Sequence, residues 1–160
     1  MKRFSLLLFA GLFGLATLQT AGAQDDKHDV TITVNTINTI SVNKDVTVTV
    51  DAIGEWAGSA ATDFTVTTND GNEKKVNAEV TTNEDDLGEN LELRVSASDL
   101  SDGVSGENNV ELVSGKAKAV ATGYENTKET GTLTYNAKAD AEFDPSDDKV
   151  VEVEYTLTSN

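Results

Sequence analysis

Short stretches of strict apolar/polar alternation recur along this chain and predict β-strands. Val30–Val34, Val46–Val50 and Val151–Leu157 each place an apolar residue at every second position, with threonine or glutamate between. Because successive side chains of a strand point to opposite faces, each stretch forms one apolar face and one polar face. We therefore predict a strand at each of the three, with the apolar faces in a shared core.

The alternation continues through the middle of the chain. After a short break at Asn35-Thr36, the first extended run continues over 37–42, and the further predicted strands are 63–67, 75–81, 91–97, 110–113 and 132–143. Lys116–Thr122 is ambiguous, because alanine and lysine favour a helix while the spacing of its three alanines favours a strand. The segment is short and has strands on both sides, so we predict a strand there as well.

Turn signals separate these segments and define the fold class. Asn69–Asn72 is the strongest, because Asp-Gly accommodates the positive φ angles of a type I′ turn, and it predicts a hairpin between strands 63–67 and 75–81. About nine short strands, with no convincing helix after residue 23, predict an all-β protein. We expect an antiparallel Ig-like or fimbrial-type β-sandwich.

The first 23 residues have the pattern of a secretory signal peptide. Lys2 and Arg3 precede the apolar run Phe4–Leu18, and Ala21-Gly22-Ala23 places small residues at the two positions that signal peptidase reads. The run is shorter than the roughly 20 apolar residues that span a membrane, which argues against an anchor. We therefore expect cleavage before Gln24, residues 24–160 as a single domain, and a periplasmic, extracellular or cell-surface location.

Composition narrows the classes of function. The chain has 28 acidic and 12 basic residues and a net charge of −16; removal of Lys2 and Arg3 leaves −18 (10 − 28). Such a surface disfavours nucleic acid and anionic lipid, which bind basic faces. Three explanations of the acidity stay open: solubility through like-charge repulsion, a high-salt habitat, and binding of divalent cations.

Catalytic and metal-binding motifs are scarce. There is no cysteine, and the one histidine, His28, lies in the polar lead-in before the first predicted strand. Serine–histidine catalysis and thiolate zinc sites therefore have no residues to use. Paired carboxylates are also the machinery of glycosidases, so an enzyme stays the third alternative. We expect a non-enzymatic protein that needs no cofactor.

Carboxylates in loops are the candidates for a calcium site, since calcium takes several oxygen ligands from flexible segments. One further acidic cluster is Glu84-Asp85-Asp86. The candidate ligands are Asp99, Asp102, Glu107, Asp144, Asp147 and Asp148. None fits the spacing of the twelve-residue calcium loop, and solvated acidic loops are the favoured interpretation.

Trp56, between Gly54 and Gly58, has two interpretations. It could plug one end of the sandwich core, as a large and usually buried residue. It could instead stack on a sugar or seat a partner. The plug is the favoured of the two.

The order of these motifs resembles that of small secreted bacterial fimbria-like or surface β-sandwich proteins, most of unknown function. The segments that carry the resemblance are Val30–Val34, Ile40–Val42, Phe64–Asn69, Leu91–Val95, Ala121–Tyr124, Gly131–Tyr135 and Glu154–Thr158. Chaperone-assembled fimbrial subunits often carry a disulfide, and this chain departs from them in having none. The resemblance implies a structural or adhesive role at the cell surface.

These observations lead to one principal expectation and one alternative. We expect a secreted, non-enzymatic structural or adhesive protein, such as a fimbria or matrix subunit; the alternative is a calcium- or carbohydrate-binding module. Two alternatives stay open for the strand that follows the cleavage site. It pairs within its own sheet as an N-terminal edge strand, which is the favoured interpretation, or it mediates self-association, with Val30, Ile32 and Val34 filling a groove of a neighbouring subunit.

Overall fold

The structure is a computed structural model that describes residues 29–81, 87, 90–144 and 149–160. These residues contain nine antiparallel β-strands. The chain divides into two compact units, Met1–Thr33 and Val34–Asn160, and all nine strands lie in the second. No helix occurs among the described residues. The strands are β1 (Asn38–Val42), β2 (Ala57–Thr68), β3 (Lys74–Val80), β4 (Leu91–Ser98), β5 (Ser105–Gly106), β6 (Val110–Leu112), β7 (Lys118–Tyr124), β8 (Thr127–Ala139) and β9 (Val153–Ser159).

The strands form two sheets around one core, which confirms the predicted all-β sandwich. One sheet has the order β1-β2-β8-β4-β6 and the other β5-β7-β3-β9. Alternate residues of strands in both sheets are buried together. The largest fully buried side chains are Tyr124, Phe64, Leu133, Val66, Val76, Val80, Val95 and Val120. The apolar faces predicted for residues 64–66, 93–97 and 133–139 are thus confirmed.

From β3 onwards, each strand lies in the opposite sheet from the strand before it. β1 and β2 are the sequence neighbours that pair, and a loop over residues 43–56 joins them. The predicted hairpin at Asn69–Asn72 is therefore wrong. β2 pairs with β1 and β8, whereas β3 pairs with β7 and β9, so the turn carries the chain from one sheet to the other.

Side chains, rather than a type I′ turn, stabilise this crossing. Neither Asp70 nor Gly71 has a positive φ. The Asp70 carboxylate accepts a hydrogen bond from the Asn72 backbone N–H at 3.0 Å and pairs with Lys74 at 2.8 Å. Lys74 is 7% exposed, and its ammonium also reaches the Ser159 hydroxyl at 3.1 Å. The turn is thereby tied to the last strand of the chain.

We predict that the Asp70 carboxylate controls part of the acid stability. The hydrogen bond from Lys74, followed by those from Asn72, lowers the pKa of Asp70 from 3.8 to about 2. A depressed folded-state pKa contributes stability above the unfolded value, and this is lost as the pH falls towards 2. Asp70→Asn should therefore be less stable than the native protein at neutral pH, and the difference should shrink at a pH of about 2. Urea unfolding at the two pH values measures it, and an unchanged difference would contradict it.

The predicted strand over 46–50 is not formed, and the start of β2 and both ends of β8 differ from the predicted boundaries. Val46, Val48 and Val50 pack half-buried on the core as predicted, but residues 43–50 form no assigned strand. The ladder to β2 breaks here, because the Lys44 N–H bonds the side-chain hydroxyl of Thr62 rather than a backbone carbonyl. β8 ends at Ala139, four residues before the predicted end of the strand.

Candidate functional site

The structure describes four of the six carboxylates proposed as calcium ligands, and it does not bring them together. Asp99 follows β4 with a φ of 56°, Asp102 lies in the next turn, and Glu107 follows β5; these three and Asp144 are all exposed. Within the described ranges, no three histidine, aspartate or glutamate side chains are grouped so that they could hold a metal ion.

The other residues considered in the sequence analysis are not described. Asp147, Asp148, the cluster 84–86 and His28 lie outside the described residues.

The described part of the chain also contains no helix long and apolar enough to cross a membrane.

The segment Asp29–Val34, called the arm below, carries the first predicted strand. That prediction is wrong as far as pairing is concerned, because the arm belongs to none of the nine strands. Its apolar residues are among the most exposed in the structure: Val30 is 71% exposed, Ile32 81% and Val34 72%. The alternation of residues sets which side chains share a face, but a strand also needs a partner for its backbone.

The chain is fixed to the sandwich directly after the arm, through Asn69. The Asn69 carboxamide accepts a hydrogen bond from the Ile37 N–H at 2.6 Å and donates one to the Asn35 carbonyl at 2.9 Å. The Asn69 backbone N–H donates to the Ile37 carbonyl at 3.1 Å. Residues 35–37 are therefore anchored, and β1 begins at the next residue.

Four strands form the edges of the two sheets: β1 and β6 in one, β5 and β9 in the other. β9 is the longest of them, with seven residues, whereas β5 has two and β6 has three. Val153, Tyr155 and Leu157 of β9 pack half-buried on the core. No strand among the described residues pairs with the outer side of β9. A sheet edge of this length presents a row of backbone donors and acceptors.

Trp56 does not plug the core, so the favoured interpretation of this residue is wrong. It belongs neither to the buried core nor to the residues packed against it. Its ring instead stacks on Arg94, with the guanidinium carbon 4.1 Å from the ring centroid. Leu93 and Val95 of β4 point into the core, and Arg94 between them therefore lies on the outer face of the five-stranded sheet.

The backbone on both sides of Trp56 is held against β8. The Gly54 N–H donates to the Ala139 carbonyl at 2.9 Å, and Ala57 pairs with Ala137. A β-bulge follows between Ala57 and Ala60, with Gly58 at a φ of 66°. The Asn136 carboxamide donates to the Gly58 carbonyl. Because Asn136 lies opposite Arg94 across the β4–β8 ladder, these bonds place the indole over the arginine.

Opposite charges surround this stack. Lys138 forms an ion pair with Glu92 at 2.6 Å, and the hydrogen bond that its ammonium donates to the Glu92 carboxylate raises the pKa of Lys138 above its usual value. Glu111 of β6 lies opposite Arg94 in the neighbouring ladder. Each cation on this part of the sheet thus has a carboxylate beside it.

Beyond the stack, the outer face carries hydroxyl groups. Ser96 pairs with Thr134, and Ser98 with Thr132, across β4 and β8. The sequence indicated Trp56 but not its neighbours. One feature of the sequence could have identified Arg94: it is the one arginine after residue 23, and it occupies an outward position of a predicted strand.

Comparison with known proteins gives no assignment. No family model matches the sequence, and no curated protein matches it.

Proposed function

We propose that this protein is a secreted, non-enzymatic structural or adhesive component of the cell surface, whose copies assemble by β-strand addition. The arm of one copy pairs with the edge strand β9 of another. The observation that carries the proposal is the arm itself, with three β-branched apolar side chains exposed outside every sheet. The pattern of residues 1–23 supports secretion.

Burial of the arm supplies the driving force. Complete burial of a valine or isoleucine side chain stabilises by about 1.5–3 kcal/mol, and the arm exposes three of them. Strand addition also satisfies backbone donors and acceptors on both partners. Alternate side chains then enter the partner's core face, which is the arrangement that Val30, Ile32 and Val34 fit.

The charge distribution supports the same site of assembly. A chain with a net charge of −16 repels its copies at most approaches. Val30–Val34 carries no charge, and the core-facing residues of β9 are Val153, Tyr155 and Leu157. Contact between these two faces brings no pair of carboxylates together. Added salt should strengthen assembly, because it screens the remaining repulsion.

Among the four edge strands, β9 has the length best suited to accept the arm. Its seven residues exceed the five-residue length of Val30–Val34, while β5 and β6 are too short to pair with the arm. β1 is the competing edge, with five residues.

We predict that assembly of the mature protein depends on the apolar residues of the arm. The triple variant Val30→Thr/Ile32→Thr/Val34→Thr keeps β-branched side chains but removes the apolar face. It should sediment as a monomer at concentrations where the mature protein forms oligomers. The control Thr31→Ser/Thr33→Ser changes the other face and should still assemble. A mature protein that stays monomeric at high concentration, or a triple variant that assembles like the native chain, would refute strand donation.

Disulfide trapping identifies the acceptor edge, because the chain has no cysteine of its own. Thr31→Cys protein, mixed with size-tagged Thr156→Cys protein, should form a tagged heterodimer under mild oxidation. Ser41→Cys on the outer face of β1 replaces Thr156→Cys in the control. A heterodimer with Ser41→Cys and none with Thr156→Cys would move the acceptor site from β9 to β1.

A further inference from the structure

We infer that the outer face of the five-stranded sheet binds a neutral oligosaccharide, with Trp56 as its stacking platform. This goes beyond the proposed self-assembly, since the arm and β9 are not part of this face. The residues that form the site are Trp56, Arg94, Ser96, Ser98, Thr132 and Thr134.

The Trp56 side chain lies against the outer face of the sheet rather than in the core, so that its ring can serve as a stacking surface for a ligand. Arg94 lies on the sheet surface, and the indole stacks on it at 4.1 Å. One face of the ring is thereby occupied, and the second face is turned away from the sheet. The negative face of an aromatic ring attracts the weakly positive C–H groups that line the apolar side of a pyranose. Trp56 is half-buried, and a partly exposed indole that is fixed in orientation can bind a sugar ring with little loss of conformational entropy.

Arg94 positions the platform. Its Nε is buried and has no hydrogen-bond partner among the described residues, so that the stack on the indole is an important contact of the guanidinium. A planar guanidinium stacks flat on an aromatic face, whereas a lysine ammonium approaches the ring only as a compact, strongly hydrated charge. Together with the bonds to Gly54 and Gly58, this contact holds the ring in one place.

The hydroxyl groups continue the site along the strands. Ser96 and Thr134 form the pair that follows Arg94 and Asn136, and Ser98 and Thr132 form the next. Four residues at about 3.3 Å each give a track of roughly 13 Å from Arg94, the length of a short oligosaccharide. Hydroxyls both donate and accept hydrogen bonds, as the hydroxyls of a sugar do.

Charge favours a neutral ligand over an ionic one. Lys138 is paired with Glu92, and Arg94 stacks on the indole with Glu111 opposite it in the β4–β6 ladder. Both cations therefore have a carboxylate as a neighbour, which opposes the binding of an anionic ligand. The net charge of −16 also repels polyanions. Besides the ring and the hydroxyls, this face carries carboxylates: Asp63 of β2 lies opposite Thr132, and the Ser98 hydroxyl donates a hydrogen bond to Asp99 at 3.2 Å. These carboxylates repel an anionic ligand and can accept hydrogen bonds from the hydroxyls of a neutral sugar.

Titration with neutral oligosaccharides tests the inference, and Trp56 supplies the signal, since it is the one tryptophan of the chain. Oligomers of glucose, N-acetylglucosamine, mannose and galactose are the probes, and sulfated dextran is the anionic comparison. The protein carries the triple threonine substitution in the arm, so that binding is measured independently of assembly. At least one neutral series should shift the tryptophan emission with saturation, and sulfated dextran should not.

Variants connect the signal to the site. By calorimetry, Trp56→Ala should weaken binding at least tenfold, and Arg94→Lys should weaken it while the far-UV spectrum stays native. Thr156→Ala, on the opposite sheet, should bind like the parent. The inference is overturned if no neutral series changes the emission, if Trp56→Ala binds as tightly as its parent, or if sulfated dextran competes with the sugars.

Discussion

Replacement of Leu133 by alanine lowers the free energy of unfolding by about 2–5 kcal/mol, the range for a leucine truncated in a packed core. Leu133 is 0% exposed and lies in β8, with β2 on one side and β4 on the other. The cavity would open at the centre of the larger sheet, where neighbours on both sides limit relaxation. At roughly 4 °C for each kcal/mol in a domain of this size, the melting temperature should fall clearly.

The neighbouring position provides the control. Thr134 is half-buried on the outer face of the same strand, and Thr134→Ala should cost less than about 1 kcal/mol. Thermal unfolding of both variants, followed by circular dichroism, measures the difference. Equal losses at the two positions would show that the assignment of faces in β8 is wrong.

Alkaline pH unfolds the protein in one step that is coupled to ionisation of its three tyrosines, Tyr124, Tyr135 and Tyr155. Burial raises the pKa of each above the ordinary value of 10.0. Tyr135 and Tyr155, from opposite sheets, also share a hydrogen bond of 2.5 Å between their hydroxyls. An ionised phenolate in this core would have to give up its water, and the nearby Glu129 carboxylate raises the pKa of Tyr124 further.

The sign of the effect follows from the direction of these shifts. Well below pH 10.0 the tyrosines are protonated in both states and contribute no pH dependence. Above it, the unfolded chain loses protons that the folded chain retains, and stability falls with rising pH. Tyrosinate absorbance and the far-UV spectrum should therefore change together. Tyr135→Phe/Tyr155→Phe should reduce the slope, since two of the three groups are gone. Tyrosinate absorbance that rises around the ordinary pKa, while the far-UV spectrum stays native, would contradict the prediction.

The sequence predicts local features of this fold well, because the alternation of residues is a local property. Leu133 and Tyr135 face the core, Thr134 faces outward, and Lys118–Tyr124 is a strand despite its alanines and lysines. In each case, the side chains within a few residues decide the outcome.

Which strands pair with one another depends on residues far apart in the sequence, and the sequence pattern does not predict these pairings. Val30–Val34 and Val151–Leu157 have the same pattern, yet Val153–Ser159 pairs with β3 while the arm pairs with nothing in the nine strands. The turn at Asp70 and Gly71 marks a chain reversal, but the pattern does not contain the choice of sheet. The two-residue strand β5 arises from pairing with β7, since Ser-Gly has no strand pattern of its own.

The candidate site shows the same limit. Trp56 could be identified as a residue with two alternatives, but its position depends on the bulge after Ala57 and on Asn136, which is far away in sequence. No local signal reports such contacts.

The alternation of successive strands between the two sheets has a consequence for biogenesis. Ala57 pairs with Ala137, which is synthesised 80 residues later, and Lys74 pairs with Ser159, which is synthesised 85 residues later. Proteins dominated by such distant pairings fold slowly, on a scale of milliseconds to seconds. Neither sheet is complete before the ribosome has made β8 and β9. If the protein is secreted, as proposed above, slow folding keeps the polypeptide unfolded while it crosses the membrane during export.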